Sequence, residues 1–193
     1  MKRQGIRCFG IEEVRKLLNY LKDRKSLERE YFIVDLTLNT GLRIAEVYSL
    51  NVGDVYDRKR LKVIGKGDKL RSIPLNAEIR RHIEKYLSWK KKRGESLDLY
   101  APLFVSRNKN RMSIRAIQRA FDKVLKDAGI DEDFTFHTLR HTFASVMYRT
   151  VRNIRTVQEL LGHSRLDTTM VYTHVSEEDK EEAVDILSTT LKG

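Results

Sequence analysis

The hydrophobic period of this chain drops from helical spacing to two in one stretch and then returns, and that interruption limits its fold more than any other feature. Ile11, Val14, Leu17, Leu18 and Leu21 recur at the spacing of an amphipathic helix, and a second helix from about Leu27 to Thr40 runs into Gly41, a good C-terminal stop. A short helix is expected from Arg43 to Leu50. The period then drops to two. Leu61-Lys62-Val63-Ile64 and Leu70-Arg71-Ser72-Ile73 flank Gly65-Lys66-Gly67-Asp68-Lys69, the pattern of a β-hairpin with a glycine-rich turn, and Pro74 stops the second strand.

Helix resumes from about Asn76 to Lys92, and Leu103-Phe104-Val105 is a short strand candidate. A helix from Ser113 to Ala128 carries Ile114, Ile117, Phe121, Val124, Leu125 and Ala128 on its buried side and ends at Gly129. From Thr138 onward the chain reads as helix with short breaks. The class is mainly α with a small antiparallel β-sheet, an α+β fold. With 193 residues, no internal repeat and no Pro/Gly/Ser linker, one domain over 1–193 is expected, with residues 1–10 as an arm or linker remnant.

Charge narrows the function. A formal net charge of +11 creates a positive field that favours polyanions. No apolar run approaches the ~20 residues of a bilayer span, because Tyr31-Phe32-Ile33-Val34 is interrupted by Asp35. The basic start lacks the apolar segment of a signal peptide, and Cys8 is the only cysteine, so neither an intramolecular disulfide nor a cysteine metal cluster can form. A cytoplasmic protein with no membrane partner is expected.

The charge is unevenly spread. Residues 173–193 carry six acids against Lys180 and Lys192, a net of −4, which leaves +15 on residues 1–172. Ser176 and Asp179 form a capping-box-like start for a tail helix over 176–193, with Ala183, Ile186, Leu187 and Leu191 on one apolar face. That helix either docks on protein or packs on its own domain. Two basic surfaces stand out. Arg80, Arg81, Lys85, Lys90, Lys91, Lys92 and Arg93 crowd one helix and its end, while Arg111, Arg115, Arg119 and Lys126 lie opposite the apolar stripe of the next. Such clusters suit DNA phosphates, since each neutralised phosphate releases condensed counterions.

Chemistry-bearing residues gather in short motifs. Arg43 lies in Thr40-Gly41-Leu42-Arg43-Ile44-Ala45-Glu46-Val47, Lys66 in Gly65-Lys66-Gly67, His137 and Arg140 in His137-Thr138-Leu139-Arg140-His141, and His163 in Leu161-Gly162-His163, with Tyr172 nine residues later. Each alone has an ordinary reading: Arg43 pairs with Glu46, Lys66 or Lys69 is an exposed turn lysine, and a lone histidine or tyrosine packs. Together they resemble the active site of tyrosine recombinases, the phage-integrase and Xer-like DNA breaking and rejoining enzymes. The resemblance runs from about Ile11 to Val175.

The resemblance implies the tyrosine-recombinase catalytic-domain fold, double-stranded DNA as partner, a dimer-to-tetramer synapse, possible DNA-bending accessory proteins, and no cofactor. It implies that Tyr172 attacks the scissile phosphodiester to give a 3′-phosphotyrosyl bond. Arg43, Arg140 and His163 serve the non-bridging oxygens, His137 binds phosphate or moves the tyrosine's proton, and Lys66 protonates the 5′-oxygen. Glu46 orients Arg43, and His141 supports the site or packs. Family members commonly carry an additional N-terminal helical domain, so either an excised catalytic domain or a minimal recombinase is expected.

Two other classes compete. A non-cutting DNA-binding module explains the charge but leaves the six positions as coincidence. A metal-dependent nuclease is suggested by His137 and His141 at i,i+4, with His163 and His174 elsewhere, but Thr138 stands where a His-Glu-x-x-His motif has its glutamate.

Overall fold

Helix α2, Glu28–Thr40, is the centre of the molecule, because its sequence is apolar around much of its circumference. Phe32, Ile33, Val34 and Leu36 are all buried, and α2 packs on α1 (Ile11–Lys22), α4 (Ala77–Lys92), α5 (Ile114–Asp127) and α6 (Phe136–Val151). Each such side chain removed from water contributes about 1.5–3 kcal/mol. The computed structural model describes residues 7–57, 59–65, 70–130, 133–151 and 154–162. Its remaining elements are α3 (Ile44–Ser49), 3₁₀ turns at Lys25–Leu27 and Val52–Val55, the strands β1 (Arg60–Ile64) and β2 (Leu70–Pro74), and α7 (Ile154–Leu161).

The expected helices form close to their sequence bounds, and glycine ends several of them. Gly41 and Gly129 have φ of +64° and +63°, a left-handed conformation that a Cβ disfavours. At the other ends, Asn76 and Ser113 accept hydrogen bonds from the Ile79 and Ala116 amides and so cap α4 and α5.

The hairpin pairs in antiparallel register, with Leu61 opposite Ile73 and Val63 opposite Arg71. Alternation puts Leu61, Val63 and Ile73 inward and Arg60, Lys62 and Ile64 outward. β1 rests on the Val52–Val55 turn and β2 on α7. Pro74, opposite Arg60, is the last residue of β2, and the strand stops there.

Two expectations are corrected. Leu103-Phe104-Val105 is buried but forms no strand, because its neighbourhood supplies only isolated bridges, Asn51 to Pro102 and Val105 to Arg111. Ile11 and Ile114 begin their helices at the open end of each apolar stripe and are exposed. The tail helix over 176–193 lies outside the described residues.

Candidate active site

Residues from three distant parts of the chain converge beside the end of α2. Gly41 turns the chain out of α2, Leu42 is buried, and Arg43 then starts α3 with extended backbone, φ −76° and ψ 153°. The Arg43 amide donates to Glu46 Oε2 at 2.8 Å and its guanidinium Nη1 to Glu46 Oε1 at 3.1 Å. The Arg43 side chain keeps 34% of its surface open, so the fork is held from one side and reaches solvent on the other.

Arg140 arrives from α6 with 1% of its surface exposed. Its Nη1 donates to the Gly41 carbonyl at 2.6 Å and its Nη2 to the Leu161 carbonyl at 2.9 Å. Those carbonyls end α2 and α7, so one guanidinium ties both helix ends to α6 and uses groups the helices leave unsatisfied.

His137 lies one turn before Arg140 on the same helix and is exposed. The cover it has, followed by the positive charges of Arg140 and Arg43, holds its pKa below the ordinary 6.5. Both arginine charges thus act on the His137 imidazole. His141 meets the His137 ring edge-on, with centroids 4.5 Å apart. Burial, then His137 and Arg140, push His141 down to about 4. Both imidazoles are therefore neutral at pH 7.

Glu46 is buried, yet it is ionised. Burial works to raise its pKa, but hydrogen bonds from Arg71, the Arg43 amide and the two guanidinium charges outweigh it, so the net shift is downward. Arg71 supplies the larger part, with Nη1 and Nη2 donating to the two Glu46 oxygens at 2.7 and 2.9 Å. Sequence reading missed Arg71. The available signal was a cation on the inward-facing side of a period-two strand, sharing that side with Ile73.

Residues 9–179 match the profile of the phage integrase family. The chain belongs to that family. It is 43% identical over 177 residues to the tyrosine recombinase XerC of Caldanaerobacter subterraneus subsp. tengcongensis, covering 91% of this chain and 49% of that protein. It is 37% identical over 181 residues to the XerC of Thermodesulfovibrio yellowstonii, covering 91% and 60%. The chain thus spans about half to three-fifths of these curated relatives.

The fold resembles the crystal structure of XerA recombinase, with a TM-score of 0.79 at 31% identity over 93% of this chain and 64% of that one. It also resembles XerH bound to its difH substrate before cleavage, with a TM-score of 0.76 at 25% identity over 97% and 56%. These neighbours have the recombinase catalytic-domain fold expected from the sequence.

Within this family fold the expected site residues are distributed as follows. Arg43, His137 and Arg140 come together, with Glu46 on Arg43 and His141 on His137. Lys66, His163 and Tyr172 lie outside the described residues. Their flanks are placed: Gly65 ends the strand entering the hairpin turn, and Gly162, with φ of +63°, closes α7 immediately before His163.

The basic surfaces need one correction. Arg115 and Arg119 are exposed on α5, and Lys91 and Lys92 are exposed at the end of α4. Lys90 is not on that surface. It is fully buried, with Nζ on Glu95 Oε2 at 3.1 Å and on the Pro102 carbonyl at 3.3 Å, so its charge is met inside the protein. Arg111 is half-buried, donating to the carbonyls of Tyr48 and Leu50 at 2.7 and 2.9 Å and to Asn51 Oδ1 at 2.6 Å. Its fork staples the end of α3. Among the described residues no helix is long and apolar enough to cross a membrane.

Proposed function

We propose that the chain is the catalytic domain of a site-specific tyrosine recombinase, which breaks and rejoins double-stranded DNA through a 3′-phosphotyrosyl intermediate without a metal or a high-energy cofactor. The observation that carries this reading is the convergence of Arg43, Arg140 and His137, three of the six positions that resemble the family's active site, at one locus.

In this reading Tyr172 Oη attacks the scissile phosphorus and the bond to the 5′-oxygen breaks. A phenol of pKa ~10 needs about 4 kcal/mol to ionise at pH 7, and a neutral His137 is suited to take its proton. Arg43 and Arg140 offer planar forks to the non-bridging oxygens, where charge concentrates in the pentacoordinate transition state, and His163 adds a donor. Lys66 gives the departing 5′-oxygen its proton. A 5′-hydroxyl attacking the phosphotyrosyl bond reverses the sequence and rejoins a strand, so the phosphodiester's energy is kept.

Arg115, Arg119, Lys91 and Lys92 contact the duplex backbone, and the protein acts as a homo-oligomer on DNA. The acidic tail over 176–193 serves assembly rather than DNA contact, since its charge opposes phosphate. The test is incubation with nicked duplexes in excess chelator, followed by denaturing separation. A protein–DNA adduct supports the reading, and binding without an adduct would leave a DNA-binding module.

A further inference from the structure

The structure ties the hairpin to the phosphate-binding arginine through a residue that the reaction as described does not use. Arg71 projects from the inward side of β2, its side chain 11% exposed, and both terminal nitrogens engage the Glu46 carboxylate in the parallel fork geometry that fixes orientation as well as charge. Glu46 in turn holds Arg43 by backbone amide and by guanidinium. One carboxylate therefore serves two arginines, and the one with its second side open is Arg43.

Arg71 also touches the other half of the site. A Cβ placed on Gly162 would lie 3.0 Å from Arg71 Nη1 and 3.1 Å from its Cδ, so the arginine lies flat against the turn that closes α7. The carbonyl just before that turn, Leu161, is the one Arg140 holds. Arg71 thus sits where the hairpin, the start of α3 and the residue preceding His163 meet.

We infer that Arg71 is a positioning residue for the cleavage reaction: acting through Glu46, it sets the guanidinium of Arg43 against the scissile phosphate, and its packing on Gly162 aligns that clamp with the end of α7. This rests on the recombinase reading above. Hairpin and phosphate clamp then form one unit, and loss of the fork loosens Arg43 while leaving the DNA-facing side of α5 untouched.

The test compares two scissile linkages. A nicked duplex recovered from a random-sequence library by covalent capture on the unsubstituted chain is remade with either the ordinary phosphodiester or a methylphosphonate at the cleavage position. The methylphosphonate lacks one non-bridging oxygen and its charge, so it needs a positioned guanidinium less. Arg71→Gln should lose on the order of a hundredfold in adduct formation on the phosphodiester, the scale of a misplaced catalytic group. It should retain duplex affinity and should recover much of the loss on the methylphosphonate.

Arg71→Lys keeps the charge without the planar fork and should fall between the two on the same ratio, which also covers the case in which the glutamine variant does not fold. An equal loss on both linkages, or no loss on the phosphodiester, would overturn the positioning role. No adduct from the unsubstituted chain would instead reject the recombinase reading, and this role with it.

Discussion

Arg140 Nη1 donates to the Gly41 carbonyl at 2.6 Å, joining the helix that carries His137 to the turn that delivers Arg43. The contact makes one buried guanidinium an anchor, and the proposed reaction asks the same group to serve the scissile phosphate. Arg140→Lys keeps the charge but cannot serve both the Gly41 and Leu161 carbonyls with a planar fork. One buried acceptor left unpaired costs about 1–3 kcal/mol, readable as a lower denaturant midpoint. Adduct formation should fall on the order of a hundred- to a thousandfold, the scale of losing a donor to developing oxyanion charge.

Gly41 itself tolerates no side chain. Its φ is +64°, and a Cβ there would overlap the Phe143 ring and lie 2.9 Å from Leu161 Cδ2. Gly41→Ala should therefore destabilise by about 1–2 kcal/mol for the left-handed backbone and about 1–3 kcal/mol for overpacking. Equilibrium unfolding measures the sum, and an unchanged midpoint would contradict the packing described.

The paired imidazoles set a pH dependence. The pKa of His141 in the fold, about 4, is below its value in the unfolded chain, 6.5, so between these two pH values the unfolded chain binds more protons. Stability then rises with pH through that window, is fully present above it, and is lost as pH falls toward 4. His137 shifts the same way. Unfolding at pH 5 and pH 7.5 should show a smaller difference for His141→Gln than for the unsubstituted chain.

On the DNA side, replacing Arg115 and Arg119 with glutamine should flatten the dependence of log K on log salt by about one unit for each phosphate that is no longer neutralised. Lys90→Met should do the reverse, leaving the slope unchanged and lowering stability by about 3–5 kcal/mol, because Glu95 stays buried without its closest cation. A change of slope from Lys90→Met would return that lysine to the surface.

Much of the fold was legible because it rests on local chemistry. Gly41 and Gly129 stop helices wherever the backbone must turn left-handed, and the period-two alternation sets the inward faces of β1 and β2. Lys90 shows the opposite case. It falls on the stripe of Ile79, Ile83 and Tyr86, so spacing places it inside, while residue type argues for solvent. What decides is Glu95 together with the Pro102 carbonyl, and Pro102 is brought in by a loop that no period announces.

The site divides along the same line. Glu46 beside Arg43 was readable as an i,i+3 neighbour, and His137 with Arg140 as one helical turn. Arg71 lies twenty-five residues beyond Glu46, and only the docked hairpin brings it there. Arg111 reads as a free surface cation because sequence shows charge and not the three oxygens its fork meets.

The central claim concerns Tyr172. On a nicked duplex in excess chelator, the unsubstituted chain should form a covalent adduct that maps to Tyr172. Tyr172→Phe, which removes one oxygen and keeps the ring, should bind the same duplex and form none. An adduct formed by Tyr172→Phe, or one mapped to any other residue, would contradict the account.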